Sequence, residues 1–121
     1  MTVIYQTKFT KIGQFAPDAL LENMLITFKQ DVPPDLEDYC FVHCHSDLSA
    51  EVCRGDVLMI NDNCFKITAV GEVANFNLKE LGHITFRFDS NLKAEYPGTI
   101  HLAGEVPTAI KIGDVLTIIK N

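Results

Sequence analysis

The chain has 121 residues and a mass of 13.5 kDa, the size of one ordinary domain, so we expect a single domain over residues 1–121. Its net charge of -6 argues against binding to nucleic acid and against direct adhesion to an anionic membrane, because both need a surplus of Lys and Arg. No apolar run approaches the roughly 20 residues that span a bilayer, and the N-terminus lacks a signal-peptide pattern. We therefore expect a cytoplasmic protein whose four cysteines are reduced thiols.

Eight segments along the chain are rich in β-branched and aromatic residues, which favour half-buried strands. In chain order, the predicted strands are residues 2–12, 24–28, 40–44, 56–60, 64–70, 84–88, 99–103 and 115–119. In the first of them, the alternation of side chains predicts one face with Val3, Tyr5 and Phe9 and another with Ile4 and Ile12.

Weaker patterns predict up to three short helices between these strands. They are residues 17–23, 34–39 and 75–81. The last has a cap-like Asn75 and stops at Gly82, which can take the left-handed closing conformation. Residues 61–63 (NDN) predict a hairpin turn, since Asn and Asp tolerate positive φ. Many short strands separated by turns predict an all-β fold, a closed or nearly closed β-barrel of about six to eight strands with one to three short helices.

Two short segments of the chain are similar in sequence. Residues 54–58 (RGDVL) resemble residues 112–116 (IGDVL), and each places Gly-Asp just before an apolar strand. Two halves of common origin would produce this pattern. Gly-Asp is also good turn chemistry before any strand, and we favour that simpler explanation here.

The densest polar cluster on an apolar background is residues 41–47 (FVHCHSD). In a strand, side chains two residues apart share a face, so His43 and His45 would lie side by side and Cys44 would point the other way. A neutral imidazole is a good nucleophile near neutral pH, which allows a phosphoryl carrier. A second imidazole beside it could orient the transferring group.

Two other interpretations compete with the phosphoryl carrier. His-x-His on a strand is also a two-ligand arm for zinc or copper, which would need a third ligand from elsewhere in the chain. The candidates for that ligand are Cys40, His83 and His101. The third interpretation is a purely structural pair. Spacing alone ranks the structural pair first, the metal site second and the carrier third.

The sequence lacks the loops that bind nucleotides and the elbow that presents a hydrolase serine. It contains no G-x-x-x-x-G-K-[ST], no G-x-G-x-x-G and no G-x-S-x-G. We therefore expect no nucleotide cofactor. A carrier that receives its phosphoryl group from another protein does not need one.

The chain resembles the glucitol/sorbitol-specific enzyme IIA family of the bacterial phosphoenolpyruvate-dependent sugar phosphotransferase system. The resemblance runs nearly end to end and is strongest in residues 24–28 (MLITF), 36–45 (LEDYCFVHCH), 68–71 (TAVG), 77–83 (NLKELGH) and 97–101 (PGTIH). Ser46 and Ser90 stand where that family commonly has Gly, and we expect both to alter turns rather than chemistry.

The resemblance implies an all-β barrel and a two-step relay, and it raises the carrier above the other interpretations. The family's phosphorylated histidine is the first of its His-Cys-His group, which corresponds to His43. The phosphocarrier protein HPr would phosphorylate His43, and His43 would pass the group to the cognate enzyme IIB, which serves a membrane-embedded IIC permease for glucitol (sorbitol). The protein would thus be a phosphotransferase component that meets the membrane only through the permease. A small metal- or ligand-binding barrel built on the His43/His45 pair remains the alternative.

The neighbouring residues receive weaker roles. His45 is a candidate orienter of the phosphoryl group, and His83 or His101 could approach His43 in a closed barrel. Cys44 is expected to pack inward as a small apolar residue. An acidic cluster upstream of His43 is a candidate for recruiting a basic patch on a partner. It comprises Asp31, Asp35, Glu37 and Asp38.

Overall fold

A computed structural model, which describes residues 2–121, shows eight strands and three short helices, as the sequence predicts. The elements are β1 (Thr2–Ile12), α1 (Ala16–Leu20), β2 (Met24–Lys29), α2 (Pro34–Glu37), β3 (Phe41–His43), β4 (Val57–Ile60), β5 (Asn63–Val70), α3 (Ala74–Leu81), β6 (Ile84–Arg87), β7 (Thr99–Ala103) and β8 (Val115–Lys120). Within residues 2–121, no helix is long and apolar enough to cross a membrane.

The strands close into one barrel in the order β1-β3-β2-β6-β7-β5-β4-β8. Neighbours are antiparallel except for β2 with β3 and β6 with β7, which are parallel. A parallel pair needs a crossover connection, and α2 lies within the connection from β2 to β3.

Alternation along β3 decides which side chains enter the barrel. Phe41 belongs to the main core, whereas Val42 packs outside it in a small second cluster with Phe28 and Cys40. Because successive side chains in a strand point to opposite faces, His43 returns to the interior. The C-terminal end of β3, the shortest strand, therefore places the imidazole of His43 in the barrel interior.

Two local predictions differ from the structure. A register shift in β1 between Val3 and Tyr5 puts both Ile4 and Tyr5 into the core and leaves Val3 exposed, so strict alternation fails there. Asn75 is not the cap of α3, because its amide pairs instead with the main chain of Val52.

Two turn predictions, at Gly82 and in residues 61–63, rest on positive φ, and the structure confirms that conformation in both turns. Gly82 ends α3 in the left-handed conformation, with φ 58°. Asn61 has φ 52° in the hairpin between β4 and β5. Ser90, which replaces a common Gly, has φ 57°, so a conformation that Gly adopts freely is here imposed on a side-chain-bearing residue.

The strand order supports a duplication more strongly than the similarity between residues 54–58 and residues 112–116 does. If β1, β2, β3 and β4 exchange places with β5, β6, β7 and β8 respectively, every strand position in the barrel keeps the same pair of neighbours. The two Gly-Asp turns also match, since Gly55 has φ 97° and Gly113 has φ 96°. The barrel thus consists of two halves of the same topology, although only the first half carries the His-Cys-His group.

The two aspartates of these turns differ in how deeply they are embedded. Asp56 is 2% exposed, accepts hydrogen bonds from the main-chain N–H groups of Cys53 and Asn121, and pairs with Lys120 at 3.0 Å. Burial raises the pKa of Asp56, but these hydrogen bonds and the lysine outweigh it, so the net pKa lies below its usual value. Among the described residues, the carboxylate of Asp114 accepts a single hydrogen bond, from the N–H of Lys111.

We expect Asp56→Asn to lower the free energy of unfolding by about 2 kcal/mol, because the amide leaves buried donors unpaired. The matched change Asp114→Asn should cost roughly 0.5 kcal/mol, since that carboxylate has one partner and is partly solvated. The folded-state pKa of Asp56 is depressed, so its stabilisation is present above its unfolded-state pKa and is lost as the pH falls through the folded-state value. Urea unfolding of both variants at neutral and acidic pH measures this difference, and equal losses in the two variants would contradict it.

Candidate functional site

His43 is the C-terminal residue of β3 and is only 1% exposed. The rings of Tyr5 and Phe9 meet it edge-on, with centroids 6.3 and 6.4 Å away. Both rings come from β1, which pairs with β3, and both project into the core. The imidazole is therefore packed between aromatic side chains in the barrel interior rather than exposed on the protein surface.

Both ring nitrogens of His43 have partners, and those partners fix the tautomer. Nε2 lies 2.9 Å from the carbonyl oxygen of Gly82, which can only accept, so Nε2 carries the hydrogen. Nδ1 receives the main-chain N–H of His45 at 3.1 Å and lies 3.1 Å from the hydroxyl of Thr7. Because an amide N–H can only donate, Nδ1 carries the lone pair.

The second imidazole lies beside the first, as the sequence predicts, although not because both belong to one strand. β3 ends at His43, and His45 takes a left-handed φ of 64°, which brings the two ring centroids to 5.9 Å. His45 Nε2 donates to the carbonyl of Lys79 at 3.0 Å, and its Nδ1 accepts the hydroxyl of Tyr5 at 2.8 Å. Burial raises the pKa of Tyr5, which keeps that phenol neutral and able to donate.

The C-terminal end of α3 holds both imidazoles. Its unpaired carbonyl groups accept an N–H from each ring, which satisfies acceptors that a helix end leaves free. Gly82 approaches so closely that a Cβ built on it would lie 2.5 Å from His43 Cε1. Together with its left-handed φ, this contact strongly favours glycine at that position.

Burial lowers the pKa of His43 from its usual 6.5 to about 4, although the hydrogen bond to Gly82 opposes the shift, and neighbouring His45 lowers the pKa further. The ring is therefore neutral at physiological pH, which is the protonation state of a nucleophilic imidazole.

We expect the His43 ring to stay neutral down to about pH 4. The pH dependence of the free energy of unfolding should show this. Between that value and the unfolded pKa of ~6.5, the unfolded chain binds a proton that the folded chain excludes, so the free energy of unfolding rises with pH across this window. The full effect corresponds to about 3 kcal/mol. Urea unfolding from pH 4 to 7 should show a steeper rise for the wild type than for His43→Gln, and identical slopes would contradict the burial of a neutral ring.

The other two histidines do not join His43. His83 Nδ1 donates to the carbonyl of Thr27 at 3.0 Å, and its ring lies against Phe28, with centroids 4.9 Å apart. His101 is paired with Asp89 at 2.8 Å. Neither ring contacts His43 in the part of the chain that the structure describes.

The expectation for Cys44 is wrong, and strand alternation explains why. Because His43 faces the barrel interior, the next residue faces outward, and Cys44 is exposed. Its sulfur lies 3.5 Å from the hydroxyl of Thr7, beside the site rather than in the core.

The acidic cluster precedes the N-terminal end of β3, whereas His43 lies at the C-terminal end of that strand. Three of its members are exposed, and Glu37 pairs with Lys11 at 2.7 Å. The exposed members are Asp31, Asp35 and Asp38. Their role in recruiting a partner stays a prediction.

Sequence reasoning missed the groups that surround the two histidines. Thr7, Tyr5 and the carbonyl of Lys79 gave no signal, because they come from distant segments and all three look like ordinary strand or helix residues. Gly82 was identified only as a helix stop. A motif search finds the imidazoles but not the hydrogen-bond partners that set their tautomers.

Among residues 2–121, no group of three or more His, Cys, Asp or Glu side chains is placed to hold a metal ion. The suggested third ligands lie elsewhere. Cys40 is 1% exposed in the cluster outside the barrel, and His83 and His101 have the partners described above. The metal-binding alternative is therefore not favoured.

Known proteins share this barrel. The crystal structure of a phosphotransferase-system IIA component from Enterococcus faecalis V583 matches with a TM-score of 0.82 and 26% sequence identity, covering 95% of this chain and 99% of that one. This likeness over nearly the whole chain places the protein in the class of phosphotransferase-system IIA components.

Sequence comparison then specifies the family. The family model described as "PTS system glucitol/sorbitol-specific IIA component" matches residues 4–117. The glucitol/sorbitol-specific EIIA components of Shigella flexneri and Escherichia coli (strain K12) are each 53% identical over 116 residues, which is 96% of this chain and 94% of theirs. The chain belongs to the glucitol/sorbitol-specific IIA family of the phosphotransferase system, which confirms the resemblance and makes the protein a phosphotransferase component.

Proposed function

We propose that His43 accepts a phosphoryl group from phospho-HPr and passes it to the cognate enzyme IIB, so that glucitol (sorbitol) is phosphorylated during its uptake through the IIC permease. The observation that carries this proposal is the state of the ring. It is neutral, its tautomer is fixed by main-chain groups, and it lies next to a second imidazole.

The arrangement suits a nucleophile that must take up a group and release it again. Attack by an imidazole nitrogen on phosphorus places positive charge on the ring, and the carbonyl of Gly82 lies 2.9 Å from the N–H that shares this charge. Phosphoryl transfer needs little from a protein beyond such positioning and electrostatics. No nucleotide loop is required, because the donor is another protein.

His45 is proposed as a positioning residue. Its main-chain N–H holds Nδ1 of His43, and its ring ties α3 to β1 through Lys79 and Tyr5. Its left-handed backbone aims that N–H at the neighbouring ring. The His45 side chain thus holds the residue in place, while its main-chain N–H contacts Nδ1 of His43.

The relay is tested by reconstitution with labelled phosphoenolpyruvate, enzyme I and HPr. We expect one acid-labile phosphoryl group per chain, which appears only when all three components are present and which is chased into sugar phosphate by membranes containing the cognate IIB and IIC. A chain that stays unlabelled would overturn the proposal. Stoichiometric zinc bound through His43 in such an unlabelled chain would instead support the metal-binding alternative.

A further inference from the structure

An aromatic groove lies at the end of the barrel opposite to His43. Since β2 runs parallel to β3, α1, which precedes β2, lies at the end where β3 begins, whereas His43 ends that strand. A groove of about 390 Å³ opens there beside α1. Its lining residues are Phe15, Asp18, Ala19, Glu22, Ile26 and Tyr39. We propose that this groove docks a Lys- or Arg-bearing cytoplasmic segment of the membrane-embedded IIC permease, an inference that rests on the proposed function.

Two aromatic rings in this groove stack on one another at the protein surface. The ring centroids of Phe15 and Tyr39 are 5.6 Å apart, with 28° between the ring planes, and the two residues are 41% and 54% exposed. Main-chain hydrogen bonds join the segments that carry them. The N–H of Phe15 donates to the carbonyl of Asp38 at 2.7 Å, and the N–H of Gly13 donates to that of Cys40 at 3.0 Å. A partner therefore meets a preformed aromatic surface, which lowers the entropy cost of docking.

The charges around these rings are negative. Asp18 and Glu22 line the groove and are exposed, and neither forms an ion pair with another residue in the range 2–121. Asp38, directly before Tyr39, is exposed as well. Among the described residues, no Lys or Arg lines the groove. A guanidinium or ammonium group can stack on the aromatic face and pair with the carboxylates together, whereas anionic lipid is repelled.

The position of the groove selects among the partners of the relay. HPr and enzyme IIB exchange the phosphoryl group with His43, so both must reach the end of the barrel where α3 holds that ring. The permease has no such requirement, and the opposite end is available to it. Membrane proteins carry an excess of Lys and Arg in their cytoplasmic loops, which is the charge that the groove fits. Docking there keeps the protein beside the permease while His43 is left to HPr or IIB.

The test is co-sedimentation of the protein with vesicles that contain the IIC permease without IIB, its cytoplasmic loops facing outward. Vesicles of the same lipids without the permease are the control. We expect binding to the permease vesicles alone, and we expect that binding to weaken as salt is raised, because exposed ion pairs are screened. Equal binding to both kinds of vesicle would overturn docking on the permease, and so would an absence of binding to either.

Two double substitutions that remove the same charge locate the docking site. Asp18→Asn with Glu22→Gln removes both carboxylates that line the groove, and binding to the permease vesicles should weaken roughly tenfold. Glu72→Gln with Glu80→Gln removes two exposed carboxylates at the α3 end of the barrel, and binding should match that of the wild type. Equal losses in the two double variants would show a response to net charge alone and would overturn the groove as the docking site.

Labelling by phospho-HPr separates this inference from the relay. The variant with Asp18→Asn and Glu22→Gln should be labelled at the wild-type rate, because the groove lies at the other end of the barrel from His43. A lower rate, in a chain that circular dichroism shows to be folded, would assign the groove to HPr and overturn the permease as its occupant. Absence of labelling in the wild type would overturn the relay, and the choice of the permease with it. Normal labelling without vesicle binding would overturn this inference and leave the relay intact.

Discussion

His43→Gln should abolish phosphoryl acceptance, whereas His45→Gln should retain it at a rate reduced by roughly tenfold. The glutamine amide can still donate to the carbonyl of Gly82 but offers no nucleophilic nitrogen, so no acid-labile phosphate can form at position 43. At position 45, the main-chain N–H that contacts His43 survives the substitution. Only the ring's bonds to Tyr5 and Lys79 change, and a combined cost of about 1.4 kcal/mol from weakening these two hydrogen bonds corresponds to a tenfold loss of rate.

The measurement is the initial rate of labelling by phospho-HPr for the wild type and the two variants. The variants should have closely similar circular dichroism spectra, which excludes unfolding as the cause. Labelling of His43→Gln together with loss of labelling in His45→Gln would reverse the assignment of the two histidines.

Gly82→Ala is expected to have the second largest effect, although it alters no ionisable group. The new Cβ would lie 2.5 Å from His43 Cε1 and 2.7 Å from Nε2, so the ring or the end of α3 must shift. A misplacement of about 1 Å in a reacting group can cost on the order of 100-fold in rate. The left-handed φ of 58° adds a conformational penalty of about 1–2 kcal/mol to the free energy of unfolding.

Gly113→Ala is the matched control for that substitution. Gly113 also has a positive φ, of 96°, but an added Cβ there meets no atom within 4 Å. We expect it to lose stability without losing phosphoryl transfer, measured at a temperature where both variants are folded. Similar transfer rates in the two variants would show that contact with the His43 ring is unimportant.

The fold follows from the sequence because its signals are local. Runs of β-branched residues locate all eight strands, and Gly82 marks the end of α3. The errors have local causes as well. A bulge in β1 breaks the alternation that placed Val3 on the same face as Tyr5, and Asn75 uses its amide to hold the main chain of Val52 instead of capping the helix.

The site follows from the sequence only in part. The resemblance selects His43 from a His-Cys-His group, but the inward direction of that ring and the outward direction of Cys44 depend on where the barrel core lies. Thr7 and Gly82 reach His43 across sequence separations of 36 and 39 residues. Such contacts arise when the barrel closes, and no pattern within a short window contains them.

The most direct test of the carrier role is to locate the phosphoryl group on the wild-type chain after labelling by HPr. Trypsin releases His43 and His45 together within residues 30–54, so fragmentation under conditions that keep phosphohistidine intact must separate the two positions. We predict the mass of one phosphoryl group on His43 and none on His45, His83 or His101. A phosphoryl group on any of those three histidines, with His43 unmodified, would contradict the account.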